Sequence, residues 1–115
     1  MNENSFTRER RRLTDLALGK ANLNVRRFYN LDSSTYSAGA LDAKTKEMLG
    51  LVASLVLRCD DCIRYHLGQC FALQLSDEEL QEVFSVALVV GGSIVIPHHR
   101  RAVDYWEQLK NPTTS

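Results

Sequence analysis

The chain has 115 residues, 44% of them hydrophobic and 8% aromatic, with two prolines and six glycines. This is the length and composition of one folded domain; it excludes a disordered polar tract, and the core it can bury makes disulfide staples unnecessary. Fourteen basic residues balance fourteen acidic ones, which excludes a global field steering the chain onto nucleic acid or an anionic membrane.

The start, Met1 to Arg12, is polar and basic with no apolar h-region behind it. The longest apolar run, Leu49 to Leu57, is far short of the roughly 18 residues that a membrane span needs. A cytoplasmic protein is therefore expected, with neither nucleic acid nor membrane as partner. The basic runs Arg8 to Arg12, Arg26-Arg27 and Arg100-Arg101 lie beside acidic residues and read as solvated helix faces. In a reducing compartment three cysteines point to thiol chemistry or metal binding rather than to structural cross-links.

Taken in chain order, the apolar spacing is helical nearly throughout. Thr7 to Tyr29 places Leu13, Leu16, Ala17, Leu23 and Phe28 among charges, the pattern of one amphipathic surface helix. Asn30 to Ala40 is rich in turn formers and reads as a polar loop. Asp42 can cap a second helix reaching about Arg58, almost wholly apolar after its first two turns. Asp60 and Asp61 offer caps for a third, to about Leu73. Ser76 and Glu79 form a capping-box pattern opening a fourth, Asp77 to Val90. Gly91-Gly92 interrupts, and a fifth runs from Ser93 to Lys110, with Pro97 in its first turn or at a kink.

The expectation is an all-α, single-domain bundle of about five helices. Residues 1–40 supply an N-terminal helix and loop, residues 41–110 the core, and residues 111–115 a disordered tail. The second and fourth helices are apolar on nearly every side, more than three others can cover, so a homo-oligomer is expected. Tyr105 and Trp106 read as core or interface anchors.

The informative stretch is Cys59-Asp60-Asp61-Cys62-Ile63-Arg64-Tyr65-His66, a Cys-x-x-Cys-x-x-x-His. Two cysteines three apart at a helix mouth can close a short disulfide ring, and free amides of the first turn stabilise a thiolate. His66 lies four residues after Cys62, on the same helix face, where an imidazole can take the thiol proton. Asp60 and Asp61 act the other way, because nearby negative charge disfavours a thiolate. Arg64 and Tyr65 read as solvent-facing and packing residues; His98 and His99, after Pro97, fit a place near the site or an interface as well as a polar helix start, and are left outside the site.

Zinc is the rival chemistry, since Cys70 extends the pattern to Cys-x2-Cys-x3-His-x3-Cys, close to a zinc knuckle. A continuous helix would spread Cys62, His66 and Cys70 along about 12 Å, too far for ligands about 2.0–2.3 Å from one ion. No metal and no cofactor is therefore expected, and Cys70 reads as a buried structural cysteine.

Glu47, eleven intervening residues, then Cys59-x-x-Cys62-x-x-x-His66 resembles the alkylhydroperoxidase AhpD-like branch of the carboxymuconolactone decarboxylase family. The acidic helix start Ser76-Asp77-Glu78-Glu79, the apolar helix after it and Gly91-Gly92 extend the resemblance over roughly residues 40–108. The resemblance implies an all-helical fold assembled as trimers or hexamers. It also implies a peroxidase that reduces hydroperoxides with electrons from a dithiol donor protein or lipoyl-type carrier. Cys62 would be the attacking thiol, Cys59 the resolving thiol, and Glu47 and His66 a proton relay. Taken alone, Glu47 is a helix-surface carboxylate in Lys-Thr-Lys-Glu; only the resemblance draws it into the site. Well-studied members carry a further histidine within the Cys-x-x-Cys, where this chain has Asp61. Two other readings accompany this one: decarboxylation of a lactone acid, as the family name suggests, and a non-enzymatic redox sensor.

Overall fold

The structure, a computed structural model, describes residues 4–112. All regular structure among them is helical: α1 Ser5–Gly19, α2 Leu23–Thr35, α3 Ala43–Leu57, α4 Asp60–Ala72, α5 Asp77–Gly91 and α6 Ile96–Lys110, with a 3-10 turn, Ser93–Val95, before α6. The all-α expectation holds, with six helices in place of about five.

The additional helix arises where one long N-terminal helix was expected. Gly19 ends α1, and Asn22, in an extended conformation, accepts the Val25 amide at 3.0 Å and caps α2. Glycine costs a helix about 1 kcal/mol and an asparagine cap stabilises by a similar amount, so the chain breaks and restarts there. The expected loop from Asn30 begins instead after Thr35. The Ser34 and Thr35 hydroxyls both return to the Leu31 carbonyl, at 3.3 and 2.6 Å, so these turn formers satisfy themselves within the helix.

The core lies among α3 to α6. α3 packs against both α4 and α5, and α4 packs against α6. Leu51 and Leu55 of α3 meet Ile63 and Leu67 of α4, Leu80 and Phe84 of α5, and Tyr105 and Trp106 of α6 in one buried cluster. Cys70 is buried there as a free thiol. The expected Ser76–Glu79 capping box is complete, at 3.0 and 2.9 Å. Pro97 sits in the first turn of α6, where a missing N–H costs nothing.

α1 and α2 bury none of their residues. α1 is tied to α6 by Phe6 edge-on to Tyr105 (5.8 Å) and by Asn4 donating to the Tyr105 hydroxyl at 2.7 Å. The end of α2 is tied to α3 by Lys46, which donates to the Thr35 and Ser37 carbonyls at 2.9 and 2.7 Å. Leu57, Val89 and Val90, on the two helices that are apolar nearly all round, are 76%, 85% and 65% exposed on the single chain. No helix among the described residues is long and apolar enough to cross a membrane. Of the tail expected to be disordered, residues 113–115 lie outside the described residues.

Candidate active site

α3 and α4 meet through a two-residue junction, Arg58 and Cys59. Arg58, at φ 61°, takes the left-handed conformation that usually falls to glycine. Its amide bonds the Leu55 carbonyl at 3.1 Å, and the Cys59 amide reaches back to Ser54 at 3.0 Å. This pair of bonds is a Schellman stop, and it delivers Cys59 straight to the mouth of α4. Cys59 itself is the cap: its sulfur accepts the Cys62 amide at 3.2 Å. Asp60 and Asp61, expected as caps, instead occupy the first turn of α4.

Cys59 and Cys62 are joined as a disulfide, with their Cα atoms 5.3 Å apart. Cys62 is exposed and Cys59 half-buried. The helix-mouth amide therefore serves the sulfur of Cys59, not that of Cys62.

Behind Cys62, His66 and Glu47 form a buried pair, Nδ1 to Oε1 at 2.8 Å. Their side chains are only 10% and 6% exposed. A carboxylate fixing Nδ1–H leaves Nε2 as the basic nitrogen. Glu47 lies on α3, nineteen residues before His66, so only the packing of two helices brings the pair together. Gly50, one turn after Glu47, is what makes room: a Cβ there would come within 2.6–2.9 Å of three His66 ring atoms.

Two tyrosines flank the imidazole, Tyr36 at 5.1 Å and Tyr65 at 5.2 Å between ring centroids. Burial, then the negative charges of Asp32 and Glu47, push the Tyr36 phenol above its ordinary value. Burial and Glu47 do the same for Tyr65, against the pull of Arg10, whose guanidinium lies 3.9 Å above that ring. Both phenols therefore remain protonated donors at neutral pH. Cys62, His66, Tyr65, Asp61, Arg10 and Asp32 line one open cavity of about 190 Å³. Tyr65, expected only to pack, is thus a wall of the site.

The two aspartates between the cysteines are compensated. Asp61 pairs with Arg64 at 2.6 Å, so Arg64 is not simply a solvent-facing side chain. Asp60 receives His98 Nδ1 at 2.8 Å and Arg101 Nε at 3.0 Å. Burial pushes the Asp60 carboxyl up, but the His98 hydrogen bond and the Arg101 guanidinium outweigh it and hold it below the usual carboxylate range. His98, left outside the site by the sequence, thus touches the Cys-x-x-Cys segment. His99 does not; it packs edge-on to Phe84 at 4.7 Å. Among the described residues no group of three or more His, Cys, Asp or Glu side chains is arranged to hold a metal ion. Burial pushes the Cys70 thiol up to about 12.

A helical bundle carrying a Cys-x-x-Cys disulfide at a helix mouth, backed by a buried carboxylate–imidazole pair, defines the class of protein. The carboxymuconolactone decarboxylase family model matches residues 24–105, and the chain belongs to that family. Two crystal structures of the Thermotoga maritima protein TM1620 are similar to it. One has 59% identity and a TM-score of 0.90 over 91% of this chain and 92% of that one. The other has 57% identity and a TM-score of 0.89 over 93% and 91%, and describes a member of the same family with a suggested involvement in antioxidative response. A Legionella pneumophila family member, apo-lpg0406, is 26% identical with a TM-score of 0.74, over 92% of this chain and 97% of that one. An uncharacterized Cupriavidus necator protein is 27% identical over 104 residues, 85% of this chain and 92% of its own.

Proposed function

We propose that the protein is a thiol-dependent hydroperoxide reductase of the AhpD-like kind. The observation that carries this reading is that the exposed Cys62 of a Cys-x-x-Cys disulfide and His66, backed by the buried Glu47, line one cavity. In the reduced protein His66 takes the Cys62 proton. The thiolate sulfur then attacks the peroxide O–O bond; one oxygen stays as Cys62 sulfenic acid, and the other leaves as an alcohol after receiving a proton through His66. Glu47 holds the imidazole in orientation through Nδ1. The Cys59 thiolate then attacks the sulfenic sulfur, the S–O bond breaks, and water leaves behind the disulfide. A dithiol, on a donor protein or a lipoyl-type carrier, returns two electrons and two protons.

The suggested antioxidative involvement of the Thermotoga maritima relative supports this reading. Decarboxylation of a lactone acid has less support, because nothing in that reaction calls for the Cys59–Cys62 disulfide beside His66. The exposed Leu57, Val89 and Val90 support assembly as a homo-oligomer, for which the family resemblance suggests a trimer or hexamer. Steady-state reduction of organic hydroperoxides, with a panel of dithiol donors and Cys62→Ser as control, tests the activity. Turnover that survives in Cys62→Ser would overturn the reading.

A further inference from the structure

The mouth of α4 carries a second carboxylate–histidine pair that the proposed proton relay does not use. Asp60 is the first residue of α4, directly after Cys59. Its two oxygens are taken by different side chains of α6: Oδ1 by His98 Nδ1 at 2.8 Å, and Oδ2 by Arg101 Nε at 3.0 Å. A second Arg101 nitrogen lies 3.3 Å from the same His98 Nδ1. Nδ1 cannot both donate to the carboxylate and accept from the guanidinium. The shorter contact, to a charged oxygen, decides that Nδ1 carries the proton, so Asp60 is held by two donors, one of them always cationic.

The position gives this cluster its consequence. A bare carboxylate one residue from Cys59 would oppose loss of the Cys59 proton. Arg101 cancels that charge, and His98 adds a donor. The amide of Cys62 is already directed at Cys59 Sγ, at 3.2 Å. Cys59 thus has a helix mouth and a neutralised neighbour in its favour, whereas Cys62 has the Glu47–His66 pair. We propose that Asp60, His98 and Arg101 form a charge clamp that keeps Cys59 ready for disulfide closure, as Glu47 and His66 serve Cys62.

This proposal rests on the peroxidase reading only for the name of the step. In that step the Cys59 thiolate forms the S–S bond, the S–O bond of Cys62 sulfenic acid breaks, and the departing hydroxide takes a proton to become water. His98 and Arg101 are positioning residues; neither need touch a reacting atom. The other charged or titratable groups around this end of α4 are Arg58 after α3, Glu47 on α3, Asp61, Arg64, Tyr65 and His66 on α4, Glu9 and Arg10 on α1, Asp32 on α2, and Asp104 and Tyr105 on α6. None of these is changed in the test.

The test reads Cys59 directly. In a Cys62→Ser background Cys59 is the accessible thiol, since Cys70 is buried and its thiol pushed up to about 12. The pH profile of iodoacetamide alkylation then reports ionisation of Cys59. Arg101→Met or His98→Gln should raise its midpoint by about 0.5–1 pH unit, slowing alkylation at pH 7 by about 3–10-fold; this is below the 1–3 units of direct charge contacts because the cluster is partly exposed. Asp60→Asn should lower the midpoint, and adding Arg101→Met to it should return the value toward the start. A merely structural cluster would move all variants the same way, and that result, or no movement, overturns the proposal. With both active thiols present, Arg101→Met should leave the first peroxide step intact and slow disulfide closure. If no peroxide reaction occurs but the alkylation midpoints move in opposite directions, the peroxidase reading fails and the clamp stands. Peroxide turnover with unmoved midpoints gives the reverse.

Discussion

Glu47 holds His66 Nδ1 at 2.8 Å, and Asp60 holds His98 Nδ1 at the same distance, but the two pairs sit in different surroundings. The side chains of the first are 6% and 10% exposed, those of the second 31% and 19%. The inner pair is buried where α3 packs on α4, so removing either member strands the other in the core. The outer pair is backed by Arg101 and solvent, so truncation there is repaired cheaply. The same bond is therefore built into the packing in one place and acts mainly as a field in the other. Substitutions should separate the two.

The largest effects belong to the inner pair. His66→Ala and Glu47→Ala should slow the first peroxide step by about 10²–10⁴-fold, with the loss smallest at high pH, where the thiolate forms unaided. Glu47→Ala should also cost about 1–3 kcal/mol in denaturant unfolding, for an imidazole left buried without its partner. Equal rates in wild type and His66→Ala would remove the inner pair from the chemistry.

Next comes Gly50→Ala, which changes neither member of the pair. Its methyl would lie within 2.6–2.9 Å of the His66 ring, so the ring must shift. A displacement near 1 Å can cost about 10²-fold in rate. Single-turnover kinetics should show this loss while the hydrogen-bonding groups themselves remain; an unchanged rate would mean that the ring's placement is not critical.

The outer pair should show itself in acid. The Asp60 carboxyl is held below its usual range in the folded chain. Its contribution to stability is thus present above the ordinary carboxylate pKa of about 4 and is lost as pH falls through the lower folded value. Asp60→Asn should be less stable than wild type at neutral pH, and the two unfolding curves should converge as the pH drops through that window. Curves that stay parallel would show that Asp60 gains nothing from His98 and Arg101.

The smallest effect is at the hinge between the two pairs. Arg58 spends strain at φ 61°, so Arg58→Gly should be stabilising by up to about 1 kcal/mol, whereas Arg58→Val should be destabilising by 1 kcal/mol or more, about the cost of a β-branched side chain there. Chemical denaturation of the two variants checks the sign.

These residues also mark how far the sequence could be read. The four core helices were legible because their apolar spacing, the Asp42 and Ser76 caps and Gly91-Gly92 all agree. The break at Gly19 to Asn22 was not, since both residue types also occur inside helices and nothing buried fixes the frame of α1 or α2. Cys59, Cys62 and His66 declare themselves because they share one helix and its periodicity. Glu47 entered only through resemblance, because its partner lies across a helix–helix contact with no local signal. Tyr36, Gly50, Asp60 and Arg101 belong to the same category: their roles exist only after α2, α3, α4 and α6 have packed. For His98, the Pro97-His98-His99 start of a helix was a visible signal, but nothing in it said which histidine would meet Asp60.

The division of labour between the two cysteines is the most direct test. Reduced Cys59→Ser and Cys62→Ser proteins are each mixed once with a hydroperoxide, and sulfenic acid is trapped with dimedone and located by mass spectrometry. Cys59→Ser should react rapidly, with the label on Cys62 and no turnover afterwards, and Cys62→Ser should show no rapid reaction. A fast phase retained by Cys62→Ser and lost from Cys59→Ser would reverse the roles of the two cysteines, and would mean that the helix mouth at Cys59, rather than the base at His66, selects the attacking sulfur.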